Sequence, residues 1–471
     1  MKKTLIFLLC TLFIFALISC AAEQQPEILP DVDFSESENY DMGGRKIVAA
    51  VVKDYFFEGE DNTLGYINNT VLADIAIKRI KDVETKFNID LTNEYVTRAG
   101  EAAHLDAVSG LGQYDYIQEE SYFLVEYLSA GIFVDLTSVD GLDYTDTEKW
   151  GTPYILESMM YDGELYGVYP ASHPIIATNS ACGVFCIDES IVAQLGAEDP
   201  RDIYERGEWT WDNFEKILPN YTSSDLISNQ TVYSLATPLD FFLTIISNSN
   251  TRDHYIDNGN GLYTSNLYTD AGFDALNKAY EWAFITLNDN IKKIGSLEHA
   301  ESIKRNDAAM YLMDSYDVLN STESAAYLLE NFGLVPAPVG PNLEPKTVVS
   351  YYNALDFTLC IPVSAKDVEA SAMILDSLYE PFEDYDTREK VIEFLCRNYF
   401  SDSRDADVYL AFTDNMQYQY FSEKVANAVL DKITGSSVSV TRITEGSEDN
   451  VNKLIEKYVK TKKDTMKTLY D

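Results

Sequence analysis

Between Lys46 and Ile117 the hydrophobic period of the chain switches repeatedly between that of a strand and that of a helix, and this alternation constrains the fold more than any other feature. "KIVAAVVK" (Lys46–Lys53) is a β-branched run that reads as a buried strand. Leu72, Ala76, Ile80, Val83 and Phe87, spaced by three and four, predict a helix from about Thr70 to Phe87. "IDLTNEYV" is a second strand, a helix around Glu101 to Leu111 follows, and "YDYI" is a third strand. Strands joined by helical crossovers run parallel, and a parallel sheet is covered on both faces. Ligands of such sheets sit beyond the carboxyl ends of the strands, which singles out Asp54–Phe57 and Gln118–Tyr122.

At 471 residues the chain exceeds one ordinary core, so two lobes are expected. "YDGELYGVYPASHP" predicts a turn at Asp162–Gly163 followed by a strand, and "ACGVFCI" (Ala181–Ile187) opens a new run of elements. Pro174 to Ser180 is therefore a candidate crossing between lobes. "DNGNG" at Asp257–Gly261 lacks the ligand spacing of a calcium loop and is expected to be a hairpin turn.

"DPRDIYERGEWTWDNFEKI" (Asp199–Ile217) carries two of the four tryptophans. They could stack on a ligand or hold a helix in place. Asp199 and Pro200 form an N-cap and N1 pair for a helix ending at Gly207, and Thr210 is the N-cap of the next. Trp209 then stands at N′, ready to staple against Phe214, while Trp211, Phe214 and Leu218 share one helical face. Periodicity accounts for both rings, which favours the structural role.

The amino terminus is of a different character. Lys2 and Lys3 precede an uncharged run from Leu5 to Ile18, an export signal too short to span a bilayer. It ends in "LISC", which resembles a bacterial lipobox, with Cys20 as the lipidated residue; the alternative is an ordinary signal peptide with a thiol at Cys20. Residues 1–20 are thus a lipoprotein signal peptide, and 21–43 an acidic, self-repelling linker. Acidic residues outnumber basic ones 77 to 35, for a formal charge of −42, which excludes nucleic acid and restricts membrane contact to the anchor. Cys182 and Cys186, about 13 Å apart if both lie on one strand, cannot bridge each other. Buried thiols are expected at Cys182, Cys186, Cys360 and Cys396, with a Cys360 bridge to one of the pair left open, and four scattered histidines imply no metal.

"IDESIVAQLGAEDPRDIYERGEWTWDNFEKI" resembles the family 1 extracellular solute-binding proteins of carbohydrate ABC importers, as do "YDGELYGVYP", "RNDAAMYLMDSYDV" and "NFGLVPAPVGPN" in the same order. Asp188–Glu189 stands where that family commonly has an Asn-Lys pair, and the portion after Ile361 matches only in being helical. The resemblance implies an α/β, two-lobe periplasmic-binding-protein-like fold with hinge crossings and a central cleft. Lobe one would take 44–178 plus 308–363, and lobe two 180–307 plus 364–471. It also implies a monomeric, lipid-anchored receptor on the extracellular face of the bacterial cytoplasmic membrane. Such a receptor captures a sugar, delivers it to permease subunits, uses no cofactor and is not an enzyme.

Sugar hydroxyls need planar donors and acceptors, and sugar ring faces lie well on aromatic side chains. In lobe one the candidates are Tyr55, Phe56, Glu119, Glu120 and Tyr122, with His173 and Asn179 near the first crossing. Asp314 and Tyr316, in the returning part of lobe one, stand where a strand meets a helix start, and Asp314 is equally well a plain N-cap; in lobe two the candidates are Asp240 and Phe241. The run "SYYNALD" adds Tyr351, Tyr352 and Asn353 at a second crossing. Two other functions fit the sequence: a surface glycoside hydrolase using an acid pair such as Glu119/Glu120, and a sensory or adhesive lipoprotein of the same fold. No His-Glu-x-x-His or Gly-x-Ser-x-Gly motif supports the hydrolase.

Overall fold

The computed structural model describes residues 40–52, 64–174, 181–225, 230–251, 254–259, 261–320, 322–352, 357–418, 429, 432–433 and 439–470. Cys20 and the candidates Tyr55, Phe56, Asn179 and Asn353 lie outside them.

The predicted alternation forms a four-stranded sheet in the order Thr358–Cys360, Tyr116–Glu119, Arg45–Val52, Ile89–Val96. The last three strands are parallel, and the first is antiparallel to its neighbour. Ile47, Ala49, Ala50 and Val51 are all buried, as a strand covered on both faces requires. The helix Val71–Phe87 buries Leu72, Ala76, Ile80, Val83 and Phe87; Thr70 caps it through Ala73 N, and Asn88 ends it in the left-handed region at φ 48°. The next helix, Ala99–Ser109, begins two residues before the expected Glu101 because its cap is not local. The side chain of Arg98, at the N-cap position, makes no cap bond, and the Gly100 N–H donates instead to Glu119 Oε2 at 2.8 Å.

The larger half holds an eight-stranded mixed sheet. Its path runs Ile291–Ile294, Gln230–Pro238, Ala308–Asp314, Ala181–Asp188, Ser350–Tyr352, Met416–Tyr418, and Phe332–Val335 pairs with the far end of Ala181–Asp188. The helices around the tryptophans form over Pro200–Glu205, capped by Asp199 through Arg201 N, and over Trp211–Ile217, where Thr210 stands at the N-cap position but its side chain makes no cap bond. Trp209 meets Phe214 edge-on at 5.4 Å and donates to the Pro336 carbonyl, whereas Trp211 donates to Ser249 Oγ and packs on Trp282. Both indoles are core. No disulfide joins Cys182, Cys186, Cys360 and Cys396, so the bridge from Cys360 is not made.

Pairing divides the chain differently from the sequence expectation. Ala308–Asp314, Phe332–Val335 and Ser350–Tyr352, expected with 44–178, belong to the eight-stranded sheet, and only Thr358–Cys360 returns to the smaller one. Val368–Leu378, expected in the second lobe, packs on Val71–Phe87, and just beyond it Arg79 donates to the Glu380 and Pro381 carbonyls. The chain then goes back: Asp405, on the helix Ser403–Asp414, accepts from Leu334 N and pairs with Arg201 at 3.0 Å. The two sheets are thus linked by passages at 174–181, 352–358 and 381–388.

In the C-terminal helix Lys460–Tyr470, Lys462 is buried and donates to the Ser158 carbonyl, Lys463 pairs with Glu157 at 2.8 Å, and Gly163 N donates to Thr465 Oγ1 at 2.8 Å. On the other side Lys467 pairs with Asp257, and Tyr263 donates to Asp464. Lys460–Tyr470 is therefore a tie between two hairpins, one pairing Met160–Tyr161 with Glu164–Leu165 and the other Tyr255–Asp257 with Tyr263–Ser265.

Candidate functional site

In the smaller sheet Val52, Val96 and Glu119 end their strands at one edge, and Thr358, where the chain enters from the other sheet, pairs with Glu119 at that same edge. In the larger sheet Pro238, Ile294, Asp314 and Tyr352 end at a common edge beside Ala181 and Cys182. Tyr352 to Thr358 is six Cα–Cα steps, a reach of roughly 20 Å at most. The carboxyl edges of both sheets are therefore turned toward the passages, the geometry of a cleft between two lobes.

On the smaller edge, Glu119 is already committed. Its carboxylate accepts from Gly100 N and from Arg98 Nη1 at 3.2 Å, is almost fully buried, and has its pKa raised by that burial. Glu120 precedes the short helix Ser121–Leu124, whose Phe123 N–H donates to the Glu120 carbonyl. Arg98 lies 3.5 Å over the Phe123 ring, and Tyr122 meets that ring edge-on at 5.0 Å. Tyr122, 37% exposed, offers an aromatic surface at this edge.

On the larger edge a cluster forms around Asp314. Its Oδ1 accepts from Asp317 N at 2.8 Å, the helix cap that the sequence allowed. Asp317 Oδ2 lies 2.6 Å from His299 Nδ1, and His299 Nε2 donates to the Leu312 carbonyl at 2.9 Å. Burial and the charge of Asp317 raise the Asp314 pKa. Burial opposes charge on His299, but its hydrogen bond to Asp317 prevails, so its pKa is raised too. Phe241, in the first turn of Leu239–Asn248, approaches the His299 ring at 6.3 Å. Asp240 is close enough to act electrostatically on Cys182 and Tyr351, which share a hydrogen bond. Ser315 Oγ, fully buried next to Asp314, has no hydrogen-bond partner among the described residues. Tyr316 is half-buried at the start of the following helical turn.

The remaining described candidates point inward. Tyr351 and Tyr352 are buried, and the Tyr352 hydroxyl donates to the carbonyls of Ile155 and Tyr154 at 2.5 and 3.1 Å, joining the halves. His173 is fully buried among Tyr66, Tyr379 and Phe382. His299 and Asp317 were missed by the sequence reading. Only the repeat of aspartates in "MDSYD" hinted at the latter, and a lone histidine opening a helix carries no signal. Among the described residues no group of three or more His, Cys, Asp or Glu side chains is arranged to hold a metal ion, and no helix is long and apolar enough to cross a membrane.

Comparison with solved structures identifies the architecture. The chain aligns with the cyclic α-maltosyl-1,6-maltose binding protein of Arthrobacter globiformis at a TM-score of 0.60 and 14% identity, covering 88% of this chain and 100% of that one. It aligns with the galacto-N-biose/lacto-N-biose I-binding protein of a Bifidobacterium longum ABC transporter at 0.56 and 14%, covering 89% and 98%. A third match is an ABC substrate-binding protein of Listeria monocytogenes solved with cycloalternan, at 0.53 and 13%, covering 88% and 99%. No family model and no curated protein matches the sequence. The chain has the α/β two-lobe fold of periplasmic binding proteins.

Proposed function

We propose that this protein is a binding receptor that captures a neutral carbohydrate, an oligosaccharide by preference, between its two lobes. The observation that carries the reading is the convergence of two carboxyl-end strand edges, one presenting Tyr122 and the other Asp240, Phe241, Asp314 and Tyr316. Carboxylates and a buried hydroxyl suit sugar hydroxyls, and the rings suit sugar faces. The neighbours of the same fold named above are sugar-binding proteins, which supports the class of solute.

The lobes of this proposal are 44–174 with 357–381, and 181–352 with 388–418. Closure around solute is favoured only by contacts made to both lobes at once, so the closed form reports occupancy. Delivery to an ABC importer, anchoring through Cys20 at the extracellular face of the membrane, and a monomeric state belong to the same proposal. Catalysis does not: Glu119, half of the acid pair a hydrolase would use, has its carboxylate engaged by Arg98 and Gly100.

Thermal unfolding against a glycan panel tests the reading. A cognate oligosaccharide at a hundredfold excess over Kd adds about 2.7 kcal/mol of stability, and Phe241→Ala weakens its binding by about tenfold or more. Stabilisation by peptides or polyamines with no response to any saccharide overturns the proposed class.

A further inference from the structure

The last helical stretch of the chain runs unbroken from one lobe to the other. Val440–Leu454 and Lys460–Tyr470 are α-helical, and Ile455–Val459 between them makes a wider, π-helical turn. At both joints, Ile455 and Lys460, the backbone keeps right-handed helical angles, so the three pieces form one rod, roughly 45 Å long at the α-helical rise.

The two ends of the rod are fastened to different lobes. Val440, Ile443, Thr444, Ser447 and Val451 are buried, and this end packs on Asp270–Glu281 and Asn266–Tyr268 of the larger lobe. There Tyr268 and Ser447 share a hydrogen bond at 3.1 Å. Beyond the π turn the rod lies on the smaller lobe, where Lys462 and Lys463 hold Ser158 and Glu157, and the Tyr470 hydroxyl donates to the Tyr144 carbonyl at 3.4 Å. The change of lobe thus falls at the π turn, the kind of place where a helix bends.

The attachments differ in strength. On the smaller lobe the Lys462 and Glu157 side chains are buried. A second set of contacts reaches back from Lys460–Tyr470 to the larger lobe: Lys467 pairs with Asp257 and lies 5.1 Å over the Tyr263 ring, and Tyr263 donates to Asp464 at 3.1 Å. Lys467 and Asp257 are 42% and 39% exposed, so this pair is weak and screened by salt. A hinge movement of the lobes displaces Glu157 and Gly163 relative to Asp257 and Tyr263. A rod fastened to both cannot follow both, so it bends at the π turn and the exposed seam at Lys467 parts first.

We propose that Val440–Tyr470 is a strut that holds the lobes in the arrangement seen here, with the seam of Lys467, Asp464, Asp257 and Tyr263 as its release. The inference rests on the two-lobe receptor reading and adds a control on its closure: solute that moves the lobes works against the seam. The test is a distance distribution in the full chain without solute, from spin-labelled unnatural amino acids at Leu105 of the smaller lobe and Ile285 of the larger, 61% and 66% exposed. Lys467→Ala should raise the population of a second lobe arrangement about two- to fivefold, and Asp257→Asn should reproduce it. Raising NaCl from about 50 mM to about 1 M should act on the native chain in the same way and on Lys467→Ala much less. Lys78→Ala, which breaks an exposed pair with Asp82 inside Val71–Phe87, should change nothing. Equal populations in Lys467→Ala and the native chain overturn the proposal, as does an equal response to Lys78→Ala or a salt response undiminished in Lys467→Ala. The measurement needs no sugar, so a glycan panel without a binder overturns the carbohydrate reading alone, and unchanged distances overturn the strut alone.

Discussion

Glu119 and Asp314 both end a strand at the side where the sheets face each other, yet their carboxylates do different work. Glu119 reaches back under its own sheet and supplies the cap that the helix Ala99–Ser109 lacks locally. Asp314 stays at the edge and caps the turn that follows it, through Asp317 N, while Asp317 in turn pairs with His299. Position at a strand end makes a residue eligible for ligand contact. The inventory of its existing hydrogen bonds decides whether it is still available.

The strongest way to break this distinction lies with the side chains most deeply committed to scaffolding. Trp211→Ala should cost about 3–5 kcal/mol in urea unfolding and leave oligosaccharide affinity unchanged; a lost affinity in a folded variant would put the indole in the binding surface. Next in size, Glu119→Ala should cost about 2–3 kcal/mol, because it strands the Gly100 N–H and Arg98. The cost is held below that of a fully buried pair because the Arg98 side chain is 41% exposed. Affinity should again be unchanged.

The Asp314 cluster sharpens the contrast through pH. A carboxyl whose folded pKa is raised gives stability that is complete below the ordinary carboxylate range, about pH 4, and is lost as pH rises through the folded value. His299, also raised, has the same sign: its contribution is complete below about pH 6.5 and is lost as pH rises through its folded value. Asp314→Asn removes the first of these, so its stability relative to the native chain should improve as pH rises from about 5 to about 8. Urea midpoints at matched pH values check the sign, and a gap that widens with pH refutes it. The smallest effect belongs to Tyr122→Ala, which should cost binding about 0.5–1.5 kcal/mol by calorimetry and barely move the melting temperature.

How far the sequence discloses this structure depends on the distance over which each decision is made. The helix Val71–Phe87 is legible because its buried face is written at local spacing, and Trp209 because its staple to Phe214 closes within six residues. The strand edges followed from the same local patterns. The division into halves did not: the return of Val368–Leu378 to the first sheet, and the pairing of Phe332–Val335 with Ala181–Asp188, depend on partners more than a hundred residues away. The candidate site is legible to the same limit. Asp314 and Phe241 follow from strand ends, but His299 joins them only because its helix folds across the edge, and nothing in its neighbourhood announces that.

The tie made by Lys460–Tyr470 has a consequence for the order of assembly. Its partners at Gly163 and Asp257 precede it by 302 and 210 residues, so during vectorial synthesis the hairpins it joins emerge long before their fastener. Until that last helix docks, each hairpin has only its own neighbours, and the joint between them stays open to chaperones and proteases.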